Sequence, residues 1–407
     1  MNNIFVKIFI LILILIFITA FSSSYSSLSI DNLAYVLAIG FDCSTDDKLE
    51  ISFQFSQPSS PSESGSNEKN DPIINTVTAS SIRNAINLIN GYLGKQVNLS
   101  HCKAIIFSEE FATKGISNEI YTLINDPQVR PSSNIIISKC PAKYYIEQTQ
   151  PQLENLISRY YEIFTRSSKY TGYMPHSTLE DFYNSLISKT CEPYAILGGI
   201  NSEISNNNDN ASSQKDYDVK ANTSSVKGEN GSENIGIAIF KKDKLVGELN
   251  ALESVSLLSI KNRINQFMIS VPSFQNNNSY LDIYLTPSTQ TKVKINTTTP
   301  TPFIELNCEF SGRIYSMSEN SKYISNENLT LISDYCNNYI KNMFLDLLYK
   351  TSKEFESDVL DLGRFSLSNF LTVQDFNNYN WKTSYKNAFF QVNVNTSIKS
   401  SMLITES

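Results

Sequence analysis

The sequence predicts an α+β (mixed α/β) protein of several domains, and three observations carry that prediction. Apolar residues alternate in some segments and recur at three- and four-residue steps in others, so strands and helices interleave along the chain. At 407 residues the chain is longer than one core organises, given about 150 residues per domain. Asn201 to Asn234, rich in Asn, Ser, Asp and Lys and poor in apolar residues, separates two regions that each keep their own apolar pattern. The expected organisation is a signal or anchor segment over 1–29, an N-terminal mixed α/β domain over 30–200, a disordered linker over 201–234 and a C-terminal region over 235–400.

The chain opens with Lys7 ahead of an unbroken Ile, Leu and Phe run from Ile8 to Phe17, then Ile18-Thr19-Ala20-Phe21 and a Ser-rich stretch. Positive charge, apolar run and small polar residues make an export signal that places the bulk of the chain outside. Ile4 to Phe21 is long enough to span a bilayer with its one lysine snorkelling, while Ala20-Phe21-Ser22 offers a cleavage site. Cleaved signal and retained anchor both fit the residues.

In the first region, Leu33 to Phe41 reads as a buried strand, and Ile51, Phe53 and Phe55 alternate as a half-buried one. Pro58 to Asp71 reads as a loop. Ile82, Ala85, Ile86, Ile89 and Leu93 behind Ser80-Ser81 predict a capped amphipathic helix. Ala104 to Phe107 and Ile135 to Ser138 are strands, with short helices at Glu109 to Lys114 and Ser117 to Asn125 between them. Leu153 to Phe164 predicts a longer helix, Ser177-Thr178-Leu179-Glu180 a capping box opening a helix to Ser188, and Tyr194 to Ile200 a closing strand.

The second region begins with a hairpin pattern, Ile235 to Phe240 and Leu245 to Leu249 about Lys242-Asp243, followed by a helix from Ala251 to Ile260. Strands are expected at Phe267 to Val271, Tyr280 to Leu285, Thr291 to Ile295 and Phe303 to Tyr315. A long helix runs from about Asn328 to Lys353, and Phe389 to Ile398 is a final strand.

The residues that carry chemistry are sparse. Lys+Arg 33 against Asp+Glu 40 gives a net charge of -7, which argues against a nucleic-acid grip. Cys43, Cys102, Cys140, Cys191, Cys308 and Cys336 stand far apart with no CxxC, so neither zinc ligation nor a pairing is indicated, and buried free thiols are expected. His101 and His176 stand alone, and neither has a nucleophile motif beside it. Gly198-Gly199 lacks the helix start and lysine of a phosphate loop. The carboxylates of Glu109-Glu110 and Asp46-Asp47 are adjacent, so they do not face one another and read as solvated edges. Trp381 is the single tryptophan. No residue is singled out as catalytic, cofactor-binding or metal-ligating, no cofactor is indicated, and a binding or assembly role follows.

Several blocks then resemble one family. Ile30-Asp31-Asn32-Leu33-Ala34-Tyr35-Val36-Leu37-Ala38-Ile39-Gly40-Phe41-Asp42 resembles the opening of the spore germination receptor C-subunit family, Ger(x)C. Thr78 to Ile86, His101 to Ala112 with Gly115, and Asn125 to Pro131 are similar to its N-terminal domain. Gly236 to Lys241 with Lys244 to Leu249 is similar to its second-region opening, and Ser357 to Gly363, Trp381-Lys382 and Phe389 to Val394 to its close.

The resemblance implies a three-domain architecture of mixed sheets flanked by helices, with two smaller α/β domains after the linker. It implies a non-catalytic subunit on the outer face of the spore inner membrane, assembled with membrane-embedded A and B germinant receptor subunits and needed for the signalling that triggers germination. One departure is plain: the family's lipobox cysteine is replaced by Thr19-Ala20-Phe21-Ser22, so lipidation is not expected and Ile4 to Phe21 takes over the anchoring. The rival readings are an extracellular solute-binding protein holding a ligand between its two regions, and a cell-wall hydrolase built on carboxylates that the fold brings together.

Overall fold

The computed structural model describes residues 2–22, 30–45, 48–56, 72–154, 156–201, 218–228, 230–272, 280–317 and 326–399. The strands are β1 (Leu33–Cys43), β2 (Leu49–Phe55), β3 (Ile73–Ala79), β4 (Gln96–Asn98), β5 (Ala104–Ser108), β6 (Asn134–Ser138), β7 (Tyr194–Ile200), β8 (Ser232–Lys241) and β9 (Lys244–Leu249) in the first sheet. The second sheet holds β10 (Phe267–Pro272), β11 (Tyr280–Pro287), β12 (Lys292–Asn296), β13 (Phe303–Met317) and β14 (Phe389–Lys399). The helices are α1 (Asn2–Ser22), α2 (Ile82–Leu93), α3 (Glu109–Lys114), α4 (Ser117–Ile124), α5 (Ala142–Gln148), α6 (Ile157–Ile163) and α7 (Leu179–Ile187). They continue with α8 (Ala251–Ile260), α9 (Asn326–Tyr349), α10 (Gly363–Ser366), α11 (Val373–Tyr379) and α12 (Trp381–Ser384).

The first sheet runs β3-β2-β1-β5-β6-β7-β8-β9, with β4 paired to the start of β1. Its centre, β1-β5-β6-β7, is parallel. Parallel strands are covered on both faces, which is why these segments read as unbroken apolar runs. Successive residues serve opposite faces. Ile39, Phe41, Ile105, Phe107, Ile135 and Ile137 pack with the apolar sides of α2, α4 and α7. Ala38, Ala104, Ile106 and Ile136 pack with Tyr145, Ile146 and Tyr161 of α5 and α6. The second set is smaller in volume at Ala38, Gly40 and Ala104, and α5 comes in close there.

Ser81 caps α2 by accepting the Asn84 N–H at 3.2 Å. The capping pattern expected around Ser177 lies one residue later: Thr178 accepts from Asp181 N at 3.1 Å, while Ser177 Oγ donates to the Tyr194 carbonyl. The helix expected over Leu153 to Phe164 begins only at Ile157, because Leu153 and Leu156, 97% and 65% exposed, find no cover. Helix α5 has no local capping signal; Asp42, on a strand 100 residues earlier, accepts Ala142 N at 2.7 Å and Lys143 N at 3.0 Å.

The hairpin β8-β9 does not begin a separate sheet. β8 pairs antiparallel with β7, so the first sheet closes only with strands that follow the polar stretch. Within that stretch, expected to be disordered from 201 to 234, positions 202–217 and 229 lie outside the described residues; of the others, Ala221, Ser224, Gly231 and Ser232 are buried, while Ser225 to Gly228 are exposed. Ala221 is fully buried and donates its N–H to the Ile235 carbonyl, and Ile200 N donates to Asn222 Oδ1. Hydrogen bonds, rather than apolar side chains, tie these residues to β7 and β8. Pro58 to Asp71 and Asp46-Asp47 lie outside the described residues.

In the second sheet β13 is the spine: β11 and β12 pair antiparallel with its two halves, and β14 runs parallel along it from Phe303↔Phe389 to Arg313↔Lys399. β14 alternates, with Phe390, Val392 and Ile398 turned to α9 and Gln391, Asn393 and Asn395 to solvent. One core joins this sheet, α8 and α9 to Tyr194, Ile237, Ile239 and Leu249 of the first sheet.

The close seat of α5 gives a direct check. A Cβ on Gly40 would lie 2.9 Å from Ile146 Cδ1 and 3.1 Å from Ala142 Cβ. Gly40→Val is expected to destabilise the protein by about 2 kcal/mol through overpacking, read as a lowered urea midpoint with an unchanged slope.

Candidate functional site

The residues weighed for chemistry are dispersed. His101 sits exposed in the turn before β5, edge-on to Tyr35 with centroids 4.6 Å apart. His176 is exposed, and partial desolvation lowers its pKa against the opposing pull of Asp181. Gly198 and Gly199 lie inside β7, where Gly199 is held against the Asn222 carboxamide. The six cysteines are all unpaired; Cys102, Cys191, Cys308 and Cys336 are buried, but Cys43 and Cys140 are half-exposed, because strand ends rather than cores carry them.

Those two thiols line a cleft of about 520 Å³ at the carboxyl ends of β1, β5 and β6, with Asp42, Glu50, Glu109, Glu110 and Lys139. Strand ends of this kind are where open parallel sheets bind ligands. The local charges here are largely spent on one another. Glu110 pairs with Lys114 at 2.9 Å, and Lys114 Nζ also reaches Cys43 Sγ at 3.1 Å. Glu109 lies 4.0 Å from Lys139, which is hydrogen-bonded to Glu248 on β9. The adjacent carboxylates of Glu109 and Glu110 thus turn to different lysines. Burial pushes the thiols of Cys43 and Cys140 up, opposite to what an activated nucleophile requires.

A second polar arrangement lies where the two regions meet, and it brings together three of the segments that carried the family resemblance: Gly236 to Lys241, Ser357 to Gly363 and Trp381-Lys382. Asp358, 2% exposed, follows the end of α9. Its carboxylate accepts Leu362 N at 3.1 Å, Gly363 N at 2.9 Å and Trp381 Nε1 at 2.8 Å. Its backbone carbonyl accepts Glu192 N from the first region at 2.9 Å. Beside it, Ser357 Oγ donates to the Phe240 carbonyl at 2.6 Å, and Thr190 Oγ1 donates to Asp361 Oδ1 at 2.9 Å. Glu192, 3% exposed, takes Lys382 Nζ at 3.1 Å on one oxygen and Lys242 N at 2.7 Å on the other.

The loop needs this density. Glu356 and Asp361 both hold left-handed backbone, with φ of 48° and 59°, a conformation non-glycine residues keep only when their surroundings over-determine it. Gly363 is fixed by space: a Cβ would sit 2.4 Å from the Thr190 carbonyl oxygen and 2.6 Å from the Trp381 indole. Chemically the arrangement is a clasp between regions. Asp358 and Glu192 carried no spacing signal for this role; they became visible only when segments far apart in sequence converged.

Burial pushes the Asp358 carboxyl up to about 6 from its ordinary 3.8, against the lowering effect of its three donors. The unfolded chain therefore gives up this proton first, and stability falls as pH rises from about 4 through about 6, by on the order of 3 kcal/mol. Asp358→Asn is expected to abolish that slope in urea unfolding measured from pH 4 to 7. Asp358→Ala, which leaves three buried donors unpaired, is expected to cost at least about 3 kcal/mol at every pH.

Comparison with known proteins follows the same division. The family model described as spore germination protein N-terminal domain matches residues 26–198, and that described as spore germination B3/GerAC like, C-terminal, matches residues 235–402. A Bacillus subtilis (strain 168) protein named as a spore germination protein, YfkR, is 22% identical over 202 residues, which is 49% of this chain and 46% of that one. The chain thus matches about half the length of that curated relative. The crystal structure of the GerBC protein shares the fold with a TM-score of 0.53 at 14% identity, covering 88% of this chain and 96% of that one. Matched in order by both family domains, the chain belongs to the GerAC-type spore germination proteins, the Ger(x)C family.

Proposed function

We propose that this chain is the membrane-anchored, non-catalytic C subunit of a nutrient germinant receptor, displayed on the outer face of the spore inner membrane. It assembles there with the membrane-embedded A and B subunits and takes part in the signalling that triggers germination. Family membership supports the germination role, and helix α1 supports the anchor. The described apolar side chains of α1 from Ile4 to Phe17 are 49% to 71% exposed, and none joins any of the three cores. An apolar surface of this size needs a partner phase. Among the described residues, no helix is long and apolar enough to cross a membrane. The anchoring reading therefore rests on the whole sequence from Ile4 to Phe21, which matches the roughly 20 residues a bilayer requires.

Signalling in this reading is ligand-linked coupling: a germinant shifts the receptor between states by its differential affinity for them. The clasp suits this part, because it transmits a displacement of one region to the other. A two-lobed solute-binding protein would instead need a cleft that opens about a hinge, and that space is filled here by the shared core and the Asp358 loop.

The test is co-expression of the chain with its receptor-like neighbours, followed by membrane fractionation and co-purification. The full chain is expected in the membrane with two partners, and the chain lacking Met1 to Phe21 in the soluble fraction. A soluble, partnerless full chain would refute the reading, and turnover on peptidoglycan would refute its non-catalytic part.

A further inference from the structure

We propose that the apolar turn from Leu367 to Val373 dips into the surface of the lipid bilayer, with the lysines at its base resting on anionic headgroups. The inference rests on the membrane-anchored reading above and adds a second point of contact to it. Leu367, Leu371 and Val373 are 42%, 100% and 76% exposed, and Phe365 just ahead of them is 37% exposed. Apolar side chains exposed singly are ordinary, but a cluster of them on one turn marks a surface that meets a membrane or a protein. The turn is fixed by its own contacts. Asn369 Nδ2 donates to the Ile295 carbonyl at 2.8 Å and to Thr297 Oγ1 at 3.2 Å. Thr372 and Asp375 form the capping box that opens α11, and Phe370 turns inward onto Phe376 and Tyr379, with ring centroids 5.5 and 5.3 Å away. A tip already ordered gives up little conformational freedom on insertion.

The charges at the base of the tip complement an anionic surface. Lys292 and Lys294 are exposed on β12, the strand that Asn369 holds, and Lys189 donates to Asn377 Oδ1 of α11 at 3.0 Å. Among the described residues, no carboxylate comes within 4.0 Å of these three ammoniums. The carboxylates nearby are engaged: Asp361 with Thr190 and Arg364, Asp375 in its capping box, and Glu305, opposite Lys294, with the amides of Asn307 and Asn393. An apolar tip with free lysines beside it can bury its side chains at the headgroup boundary while the ammoniums stay with lipid phosphates.

Position favours the bilayer over other occupants. β1, β5, β6 and β7 are parallel, and the chain coming from α1 enters them at Leu33. The clasp seats the Asp358 loop on Thr190 and Glu192, just ahead of β7, so anchor entry and clasp share the amino end of the parallel strands. Asp361 of that loop is followed within ten residues by Leu371. Seven residues, Ser23 to Ser29, lie between α1 and the turn before β1, a reach of at most about 30 Å from the anchor. Leu153, 97% exposed, sits at the opposite end: Gln150 N donates to Asn230 Oδ1, and the neighbouring Gly231 carbonyl accepts Asn201 N beyond the carboxyl end of β7.

The test reads tryptophan emission from the full chain in vesicles of phosphatidylglycerol and phosphatidylcholine, the latter brominated on its acyl chains as a quencher. Trp381, 1% exposed, supplies a constant background. The emission added by Leu371→Trp is expected to fall by at least about half relative to unbrominated vesicles, because an interfacial element reaches the acyl boundary. The emission added by Leu153→Trp is expected to stay unquenched. Removing phosphatidylglycerol, or combining Leu371→Trp with Lys292→Glu and Lys294→Glu, is expected to restore the lost emission. If Leu371→Trp folds poorly, Val373→Trp carries the same test. A vesicle-bound chain in which Leu371→Trp is unquenched, or quenched no more than Leu153→Trp, overturns the proposal and leaves the anchor standing. A full chain that does not join vesicles overturns both readings. An unquenched Leu371→Trp that co-expressed receptor-like neighbours shield from acrylamide overturns the proposal in favour of a protein partner, and quenching that survives the lysine variants overturns the headgroup contact.

Discussion

A carboxylate withdrawn from water is tolerable only where donors replace the solvent, and Asp358 sets that requirement for the whole junction. Two backbone N–H groups of one turn, Leu362 and Gly363, and the indole N–H of Trp381 answer it, binding two segments of the chain to the same point. The left-handed turn at Asp361, the close seat of Gly363 and the orientation of Trp381 are consequences. The loop's outer contacts, from Thr190, Glu192 and Phe240, carry the constraint into the first sheet. A hydrophobic contact would hold the regions together; this arrangement also fixes their register.

The parallel centre of the first sheet was legible because burial on both faces leaves a plain mark, apolar runs at Leu33 to Phe41, Ala104 to Phe107 and Ile135 to Ser138. The alternation in β14 was legible for the opposite reason, one face being wet. Helix α5 was not, since its cap is Asp42 on β1, and no local pattern reports a cap donated from another strand. The helix predicted from Leu153 failed because periodicity records what a face would bury, not whether anything arrives to cover it.

The site was less legible than the fold. Trp381 and the Ser357 to Gly363 segment stood out by resemblance alone, with no spacing that assigned them a task. The carboxylate pair at Glu109 and Glu110 shows the converse: residues adjacent in sequence are separated in space by the lysines each engages.

The pairing of β8 with β7 has a consequence for how the chain reaches its final form. The sequence divides naturally near residue 200, but the hydrogen-bonding edge of β7 is satisfied only by Ser232 to Ile239, on the far side of the polar stretch. A chain is synthesised from its N-terminus, so β7 waits with an open edge until those residues follow. The second sheet waits longer, because β13 gains its parallel neighbour from the last described strand. Such non-local pairing is slow and leaves strand edges exposed meanwhile. The long polar stretch, cheap to close because loop entropy grows only with the logarithm of length, keeps that delayed docking thermodynamically accessible.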